Sequence, residues 1–295
     1  MTGTGTVDGL VVVDKPSGCT SHDVVARMRR LAGTRRVGHA GTLDPMATGV
    51  LVVGIGRATR LLGHLSAHDK AYDATIRLGS TTTTDDADGE IVTTTDASRV
   101  DDADLLAAMR RLTGDLEQVP SSVSAIKVDG QRAYQRVRQG QHVELAARPV
   151  HVAVFDLRER RGDDVLVHVE CTTGTYVRAL ARDLGASLGV GAHLVALRRT
   201  RIGQFALDRA LTLEALAEEL TVIPLGAAVA ATFPRWDAPA DDARRLGLGQ
   251  RLPPVGLPAG VVGAFGPDGA VVALVEERDD AVRPIVVFAP GGAAN

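Results

Sequence analysis

The sequence predicts an α+β fold rather than a doubly wound parallel sheet. Hydrophobic residues make up 45% and charged residues 23% of the 295 residues, as in a folded globular protein. Short apolar, β-branched segments mix with amphipathic segments without the strict alternation of a parallel α/β fold. Turn signals typical of hairpins recur between these segments, as at Asp88-Gly89.

The N-terminal half contains predicted strands and helices in mixed order. An apolar run at 10–13 predicts a buried strand. Thr20–Ser21 offers an N-cap for a helix to about Leu31, with Gly33 as a stop, and the Gly- and Pro-containing stretch 35–48 predicts a loop. The pattern then predicts a strand at 50–55, a helix at 58–65, a strand at 72–78, a hairpin or loop tip at 81–90 and a capped helix at 101–112.

The amino-acid composition of the C-terminal half changes near its end. After about Thr232, prolines and glycines become dense and only short β-like runs remain. We therefore predict one domain over 1–232 and a small β-rich domain over 233–295. The predicted elements are strands at 150–157 and 165–170 around a turn at 161–164, a helix at 176–188, a strand at 202–207, and β-like runs at 260–265, 271–276 and 285–288, with a turn at 267–269.

Arginines are clustered, although the formal net charge is -3. Since arginine is well suited to phosphate, clusters that flank Gly-rich loops favour contact with a polyanion. A solvated helix face is the alternative for each single cluster. The clusters are Arg27, Arg29, Arg30, Arg35 and Arg36; Arg132, Arg136 and Arg138; and Arg198, Arg199 and Arg201.

Several classes of protein are disfavoured by what the chain lacks. Cys19 and Cys171 have no metal-ligand spacing, and they fit a reducing cytosol, although one disulfide stays open. Asp86-x-Asp88-Gly89 faintly resembles a calcium loop but lacks its remaining ligands. The N-terminus lacks the layout of a secretory signal, and no apolar run is long enough for a membrane helix. We expect a cytoplasmic protein without a metal.

The loop at residues 38–49 carries the strongest chemical signal. Pro45 disfavours the helical region for Asp44 and holds it extended. Glycines within the loop permit close approach of a substrate or of another backbone segment. An isolated Asp-Pro is usually an ordinary turn, but this flanking pattern favours a carboxylate presented on a shaped loop.

This loop and several other segments resemble the bacterial TruB family of tRNA pseudouridine synthases. The match covers roughly residues 8–230. It implies the pseudouridine synthase fold, a mixed and largely antiparallel central sheet flanked by helices, followed by a PUA-like C-terminal domain. The matching segments are Asp14-Lys15-Pro16-Ser17-Gly18-Cys19-Thr20-Ser21, Gly38-His39-Ala40-Gly41-Thr42-Leu43-Asp44-Pro45-Met46-Ala47-Thr48-Gly49, Lys70-Ala71-Tyr72, Ser124-Ala125-Ile126-Lys127-x-x-Gly130, Gly174-Thr175-Tyr176-Val177-Arg178 and Leu197-Arg198-Arg199-Thr200.

The resemblance implies three catalytic residues. Asp44 becomes the nucleophile, which attacks either the uracil ring or the ribose C1′. Tyr72 becomes the aromatic that packs on the target base and a candidate for removing the final proton. Arg178 becomes the partner of the Asp44 carboxylate. Because isomerising uridine needs no redox step and no group carrier, we expect no cofactor.

The resemblance also implies residues that bind the substrate or support the loop. Tyr176 and Leu197 line the uridine pocket, and His39 lies where the family fills the gap left by the flipped nucleotide. Lys15 and Pro16 support the active-site loop. Taken singly, each residue has an ordinary alternative as core, surface charge or turn, so these roles depend on their joint register with the family.

The implied partner is tRNA, bound through its T-arm stem-loop, with the uridine at position 55 as the target. An insert at 118–148 would grip that arm, although the stretch 118–125 departs slightly from the family's usual form. In the C-terminal domain, Arg244, Arg245 and Arg251 would touch the acceptor stem or lie free on the surface. A monomer is the simplest expectation.

Three alternatives from other classes stay open at this point. A catalytically silent tRNA-folding chaperone of the same fold would not need Asp44. A nucleotide-binding enzyme is suggested by Gly54-x-Gly56, but the third glycine and a Walker lysine pattern are missing. A glycosidase would need two cooperating carboxylates, whereas the catalytic-looking segments supply one.

Overall fold

The structure, a computed structural model, describes residues 7–121, 127–128, 131–132 and 145–288. The described strands are β1 (Gly9–Lys15), β2 (Val37–Ala40), β3 (Thr48–Ile55), β4 (Lys70–Leu78), β5 (Ser80–Thr82), β6 (Ile91–Thr94), β7 (Gly114–Gln118), β8 (Lys127–Val128), β9 (Gln131–Arg132), β10 (Arg148–Arg161), β11 (Asp164–Cys171), β12 (Ala192–Ile202), β13 (Phe205–Ala206), β14 (Ile223–Pro224), β15 (Arg235–Asp237), β16 (Val261–Phe265), β17 (Val271–Arg278) and β18 (Ala281–Val287). The described α-helices are α1 (Ser21–Leu31), α2 (Leu62–Ser66), α3 (Asp102–Arg111), α4 (Val177–Ser187), α5 (Leu213–Glu218), α6 (Leu225–Thr232) and α7 (Ala240–Gly247), with 3₁₀ turns at Gly56–Leu61 and Leu207–Arg209.

Ten of the described strands form one large sheet. Its order is β14-β1-β3-β12-β4-β11-β10-β7, with β2 beside β3 and β13 beside β12. Within this sheet the described pairings are antiparallel except for the parallel pairing of β3 with β12. A separate sheet in the order β15-β16-β17-β18 lies near the C-terminus. The arrangement confirms the predicted α+β class, with a mixed, largely antiparallel sheet and a C-terminal β-sheet.

Strand β1 is apolar from Leu10 to Val13 because both faces of this part of the sheet are covered. Successive side chains of a strand point to opposite faces. Leu10 and Val12 therefore join a cluster with α6 and the C-terminal sheet, whereas Val11 and Val13 join a second cluster with α1 and α5. The strand is held in register with β3, from Gly9 opposite Ile55 to Lys15 opposite Gly49, so Lys15 reaches the loop that precedes β3.

Helix α1 begins where the sequence predicts it. The Thr20 side chain accepts a hydrogen bond from the Asp23 backbone, and the Asp23 carboxylate accepts one from the Thr20 backbone, which completes a capping box. Helix α4 is the other helix that positions the site. Its residues Leu180 and Leu184 are fully buried in the largest cluster, which includes side chains of β4, β10 and β11.

The C-terminal sheet has a small core of its own and a shared one. Val262, Val275 and Val282 belong to a cluster formed within this region. Phe265 and Leu274 instead pack with α6 and β1 in a cluster shared with the rest of the chain. No helix in the described part of the chain combines the length and apolarity needed to cross a membrane.

Most predicted elements are confirmed. The helices at 101–112 and 176–188 and the hairpin around 161–164 occur where they were predicted. Four predictions were wrong in part. The 35–48 loop contains β2, and the 58–65 helix begins as a 3₁₀ turn. The strand at 202–207 is divided between the last residue of β12 and the short β13, and the region after 232 contains α7 as well as strands. Most of the predicted 118–148 insert lies outside the described residues.

Candidate active site

Asp44 lies on the loop between β2 and β3 and remains accessible. Its side chain is 37% exposed, and its backbone carbonyl accepts a hydrogen bond from Ala47 at 3.1 Å. Ser21, at the start of α1, fixes Leu43, the residue before Asp44. The Ser21 hydroxyl donates to the Leu43 carbonyl at 3.1 Å and accepts from the Leu43 amide at 2.9 Å. The loop therefore presents Asp44 from an anchored backbone.

Lys15 supports the same loop from beneath. It is fully buried, and its ammonium donates to the carbonyls of Pro16, Pro45 and Ala47 at 2.9, 3.2 and 2.7 Å. Burial lowers the pKa of Lys15, while neighbouring acidic groups, Asp44 among them, raise it. The ammonium of Lys15 thus joins three backbone carbonyls on the two segments that meet beside Asp44.

Arg178 joins Asp44 to a second carboxylate. It lies in the first turn of α4, is 4% exposed, and places its Nε 3.0 Å from Oδ2 of Asp44. Its Nη1 lies 3.3 Å from Oδ2 of buried Asp86 and donates to the Thr84 carbonyl at 3.0 Å. A buried guanidinium thus bridges the exposed carboxylate and the buried one.

Asp86 is a site residue that the sequence did not reveal. Its carboxylate also accepts hydrogen bonds from the Thr84 hydroxyl at 2.5 Å and from the Asp88 amide at 3.1 Å. These bonds explain the Asp-x-Asp-Gly pattern as a turn whose first carboxylate faces Arg178. No cluster of three or more metal-ligating side chains occurs among the residues that the structure describes.

Tyr72 is held by a buried arginine, Arg199. Both side chains are nearly inaccessible, and the Arg199 guanidinium interacts electrostatically with the Tyr72 hydroxyl. Arg199 also donates to the carbonyls of Val50 at 2.8 Å and Gly41 at 3.0 Å. Burial raises the pKa of Tyr72, which the charge of Arg199 partly offsets. Arg199 therefore connects Tyr72 to the loop that carries Asp44.

The arginine cluster on β12 does not form a free phosphate-binding surface. Arg199 is 1% exposed, Arg198 pairs with Asp14 at 2.7 Å, and Arg201 pairs with Glu170 at 2.7 Å. The side chains of Arg198 and Arg201 are still 41% and 33% exposed beside these carboxylates, so polyanion contact by this cluster stays a prediction. The side chains of Arg132, Arg136 and Arg138 lie outside the described residues.

The other predicted residues are only partly brought together. Leu197 and Tyr72 share one apolar cluster with Leu43, next to Asp44. Tyr176 is the N-cap residue of α4 and lies two positions before Arg178. His39 lies on β2, where its ring meets His22 edge-on with centroids 5.6 Å apart, and burial lowers its pKa.

Family models match three segments of the chain. The TruB family pseudouridylate synthase N-terminal domain matches residues 29–177. The tRNA pseudouridylate synthase B C-terminal domain matches residues 178–224, and the C-terminal region of tRNA pseudouridine synthase II matches residues 233–289.

Curated relatives are similar over almost the whole chain. The tRNA pseudouridine synthase B of Thermobifida fusca is 59% identical over 290 residues, covering 96% of this chain and 99% of the relative. The protein of the same name from Streptomyces griseus is 57% identical over 295 residues, covering 97% of this chain and 99% of the relative.

Two solved structures have a similar fold. A chain of a Cbf5-Nop10-Gar1 complex has a TM-score of 0.74 at 27% identity, covering 96% of this chain and 85% of that one. A chain of an H/ACA RNP bound to a substrate RNA that contains 2′-deoxyuridine has a TM-score of 0.73 at 26% identity, covering 96% of this chain and 86% of that one.

Proposed function

Because the chain belongs to the TruB family of pseudouridylate synthases, we propose that it isomerises the uridine at position 55 in the T-loop of tRNA to pseudouridine. The observation that carries this proposal is the 3.0 Å contact between Arg178 and Asp44, a nucleophile and cation pair on an anchored loop. The Thermobifida and Streptomyces relatives are tRNA pseudouridine synthases B by name, which supports tRNA as the partner.

In the proposed reaction the base is detached, rotated and rejoined through carbon. The uridine first leaves its stack, which costs a few kcal/mol. Asp44 attacks with a carboxylate oxygen at the ribose C1′ or at the uracil ring, and the bond between C1′ and N1 breaks. The base turns, C5 bonds to C1′ and the bond to Asp44 breaks. C5 then loses its proton and N1 gains one, so the product is an isomer of the substrate. No electrons enter or leave, so the reaction requires no cofactor.

The side chains around Asp44 have distinct roles in this proposal. Arg178 holds Oδ2 of Asp44, which orients the other oxygen of a carboxylate that is still 37% exposed. Tyr72 packs on the extruded base, a contact that contributes about 1–3 kcal/mol in single-strand binders. Because burial raises its pKa, Tyr72 meets the base as a neutral phenol. Leu197, Tyr176 and His39 complete the uridine pocket, as the resemblance implies.

The remaining parts of the chain receive roles in the same proposal. Residues 1–232 form the catalytic domain, and the insert at 118–148 grips the T-arm. Residues 233–295 form a PUA-like domain that contacts the RNA, with Arg244, Arg245 and Arg251 facing the acceptor stem. The enzyme acts as a cytoplasmic monomer.

The test is an Asp44→Asn variant, with Asp96→Asn as the matched control. Asp96 accepts a hydrogen bond from the Ser98 amide on an exposed loop, which an asparagine can also accept. Each protein is incubated with an unmodified tRNA transcript, with the same transcript carrying cytidine at position 55, and with a T-arm stem-loop. Product is quantified as pseudouridine after digestion, and binding by filter retention.

We expect wild type and Asp96→Asn to modify the intact transcript and the stem-loop but not the cytidine-55 transcript. Asp44→Asn should bind the intact transcript and the stem-loop but form no pseudouridine in either. Product from Asp44→Asn at the wild-type level would refute the catalytic role of Asp44. Wild-type binding without any product would instead favour the silent tRNA-folding chaperone.

A further inference from the structure

Gln118 is a polar residue that is buried on an edge strand. It is the last residue of the edge strand β7, where it pairs with Arg148 of β10, yet it is only 2% exposed. A buried carboxamide is expected to have its hydrogen bonds satisfied. What it binds is therefore informative.

Both polar atoms of the Gln118 side chain bind the backbone of Tyr176. Oε1 accepts from the Tyr176 amide at 2.8 Å, and Nε2 donates to the Tyr176 carbonyl at 3.2 Å. Tyr176 is the N-cap residue of α4, and its own side chain makes no capping hydrogen bond. Its carbonyl also accepts the first helical hydrogen bond, from Leu180 at 3.1 Å. Gln118 thus holds the residue at which α4 begins.

A second contact joins α4 to the neighbour of Gln118. Arg182, one turn after Arg178, donates from Nη2 to the Val119 carbonyl at 2.7 Å. Its Nη1 lies 3.4 Å from Oδ2 of Asp85, and the next residue, Asp86, is the buried partner of Arg178. The end of β7 and the loop carrying Asp86 are therefore fixed to the same two turns of α4.

The geometry points to Gln118 as a positioning residue of the proposed pseudouridine synthase: it sets the start of α4 so that Tyr176 faces the pocket and Arg178 meets Asp44. This inference rests on the proposed function. Nε of Arg178 and Oδ2 of Asp44 are 3.0 Å apart, so the two charged groups form a close ion pair. A displacement of about 1 Å at such a contact can cost about 100-fold in rate.

A Gln118→Glu substitution separates positioning from a general loss of packing. It preserves shape but replaces the Nε2 donor by a carboxylate oxygen, which faces the Tyr176 carbonyl at neutral pH. Protonation of that carboxyl restores a donor. The rate of Gln118→Glu relative to wild type should therefore rise as the pH falls, whereas the relative rate of Gln118→Met should stay low at every pH.

The assay is single-turnover pseudouridine formation with enzyme in excess over tRNA, measured between pH 5.5 and 8 together with the dissociation constant. At pH 8 we expect both variants to be slower than wild type by about 10- to 100-fold, with tRNA affinity within threefold. Ser187→Ala is the control, since Ser187 ends α4 and accepts a hydrogen bond from Arg111 at 3.0 Å. It should react at the wild-type rate.

Arg182→Met provides an independent variant if Gln118→Glu does not fold, as judged by circular dichroism. It removes the bond to the Val119 carbonyl and should lower the single-turnover rate while leaving affinity unchanged. Wild-type rates for the folded Gln118 variants, or a loss confined to tRNA affinity, would overturn the inference. A wild-type enzyme that forms no pseudouridine would overturn the proposed function instead, so the two failures are distinguishable.

Discussion

Replacing Arg178 by lysine tests the charge arrangement of the site most directly. Arg178 forms ion pairs with Asp44 through Nε and with Asp86 through Nη1, and Nη1 also donates to the Thr84 carbonyl. A lysine keeps the positive charge but offers one compact ammonium in place of a rigid fork. The single ammonium of this lysine can pair with only one of the two carboxylates, and the difference in their burial decides which one. The side chain of Asp86 is 7% exposed and that of Asp44 is 37% exposed.

The lysine should remain with Asp86. Leaving a buried carboxylate unpaired destabilises a protein by about 3–5 kcal/mol, whereas water can solvate Asp44. The cost therefore falls on the contact with Asp44. The largest contribution expected for this ion pair is that of a hydrogen bond to a charged group, about 1.5–3 kcal/mol. It corresponds to a rate loss of up to about 160-fold if the contact acts in the transition state.

Single-turnover release of tritium from uridine C5 of the tRNA measures this loss. Arg27→Lys is the matched control, because Arg27 makes an exposed contact with Glu214 at 3.3 Å. It should retain the wild-type rate. If Arg178→Lys reacts within threefold of the wild-type rate and has an unchanged free energy of unfolding, the Arg178–Asp44 contact does not contribute to catalysis.

Two further predictions concern stability and cysteine reactivity. Gly49 has φ +96°, and an added Cβ would lie 2.2 Å from the Arg199 carbonyl oxygen, so Gly49→Ala should lower the free energy of unfolding by about 2–5 kcal/mol. Gly18→Ala, at φ +81° in open space, should cost only about 1–2 kcal/mol; equal costs in urea titrations would contradict the steric argument. Burial raises the pKa of Cys171 to about 11, so about one thiol in a thousand is ionised at pH 8. Iodoacetamide should therefore label half-exposed Cys19 far faster, and equal labelling in mass spectra would contradict this.

The presentation of Asp44 could be predicted from local chemistry, but its partners could not. Pro45 and the surrounding glycines specify an extended residue on a tight loop, and the structure has that loop. Arg178 as the partner was implied by the family resemblance. Asp86 had no local signal, because its role depends on α4 packing beside the 83–90 turn.

The strand β12 shows a second limit of sequence reasoning. The segment from 197 to 202 contains three arginines, and nothing in the sequence distinguishes a solvated arginine from a buried one. The structure places Arg199 between Tyr72 and the loop carbonyls, while its neighbours Arg198 and Arg201 form ion pairs. Which side chain of such a segment is buried is decided by the pairing of β12 with β4, a long-range contact.

The contacts of these arginines change which surface is expected to attract RNA. Arg199 is buried, and Arg198 and Arg201 are ion-paired with Asp14 and Glu170, so we expect this cluster to contribute less to phosphate binding than unpaired arginines would. The cluster around the end of α1 differs, because Arg29, Arg30, Arg35 and Arg36 are largely exposed. Helix α1 starts at Ser21, which anchors the Asp44 loop, and its eleven residues span about 16 Å. A basic surface thus lies near the loop that carries Asp44, where the proposed function places the target uridine, although the whole chain has a net charge of -3.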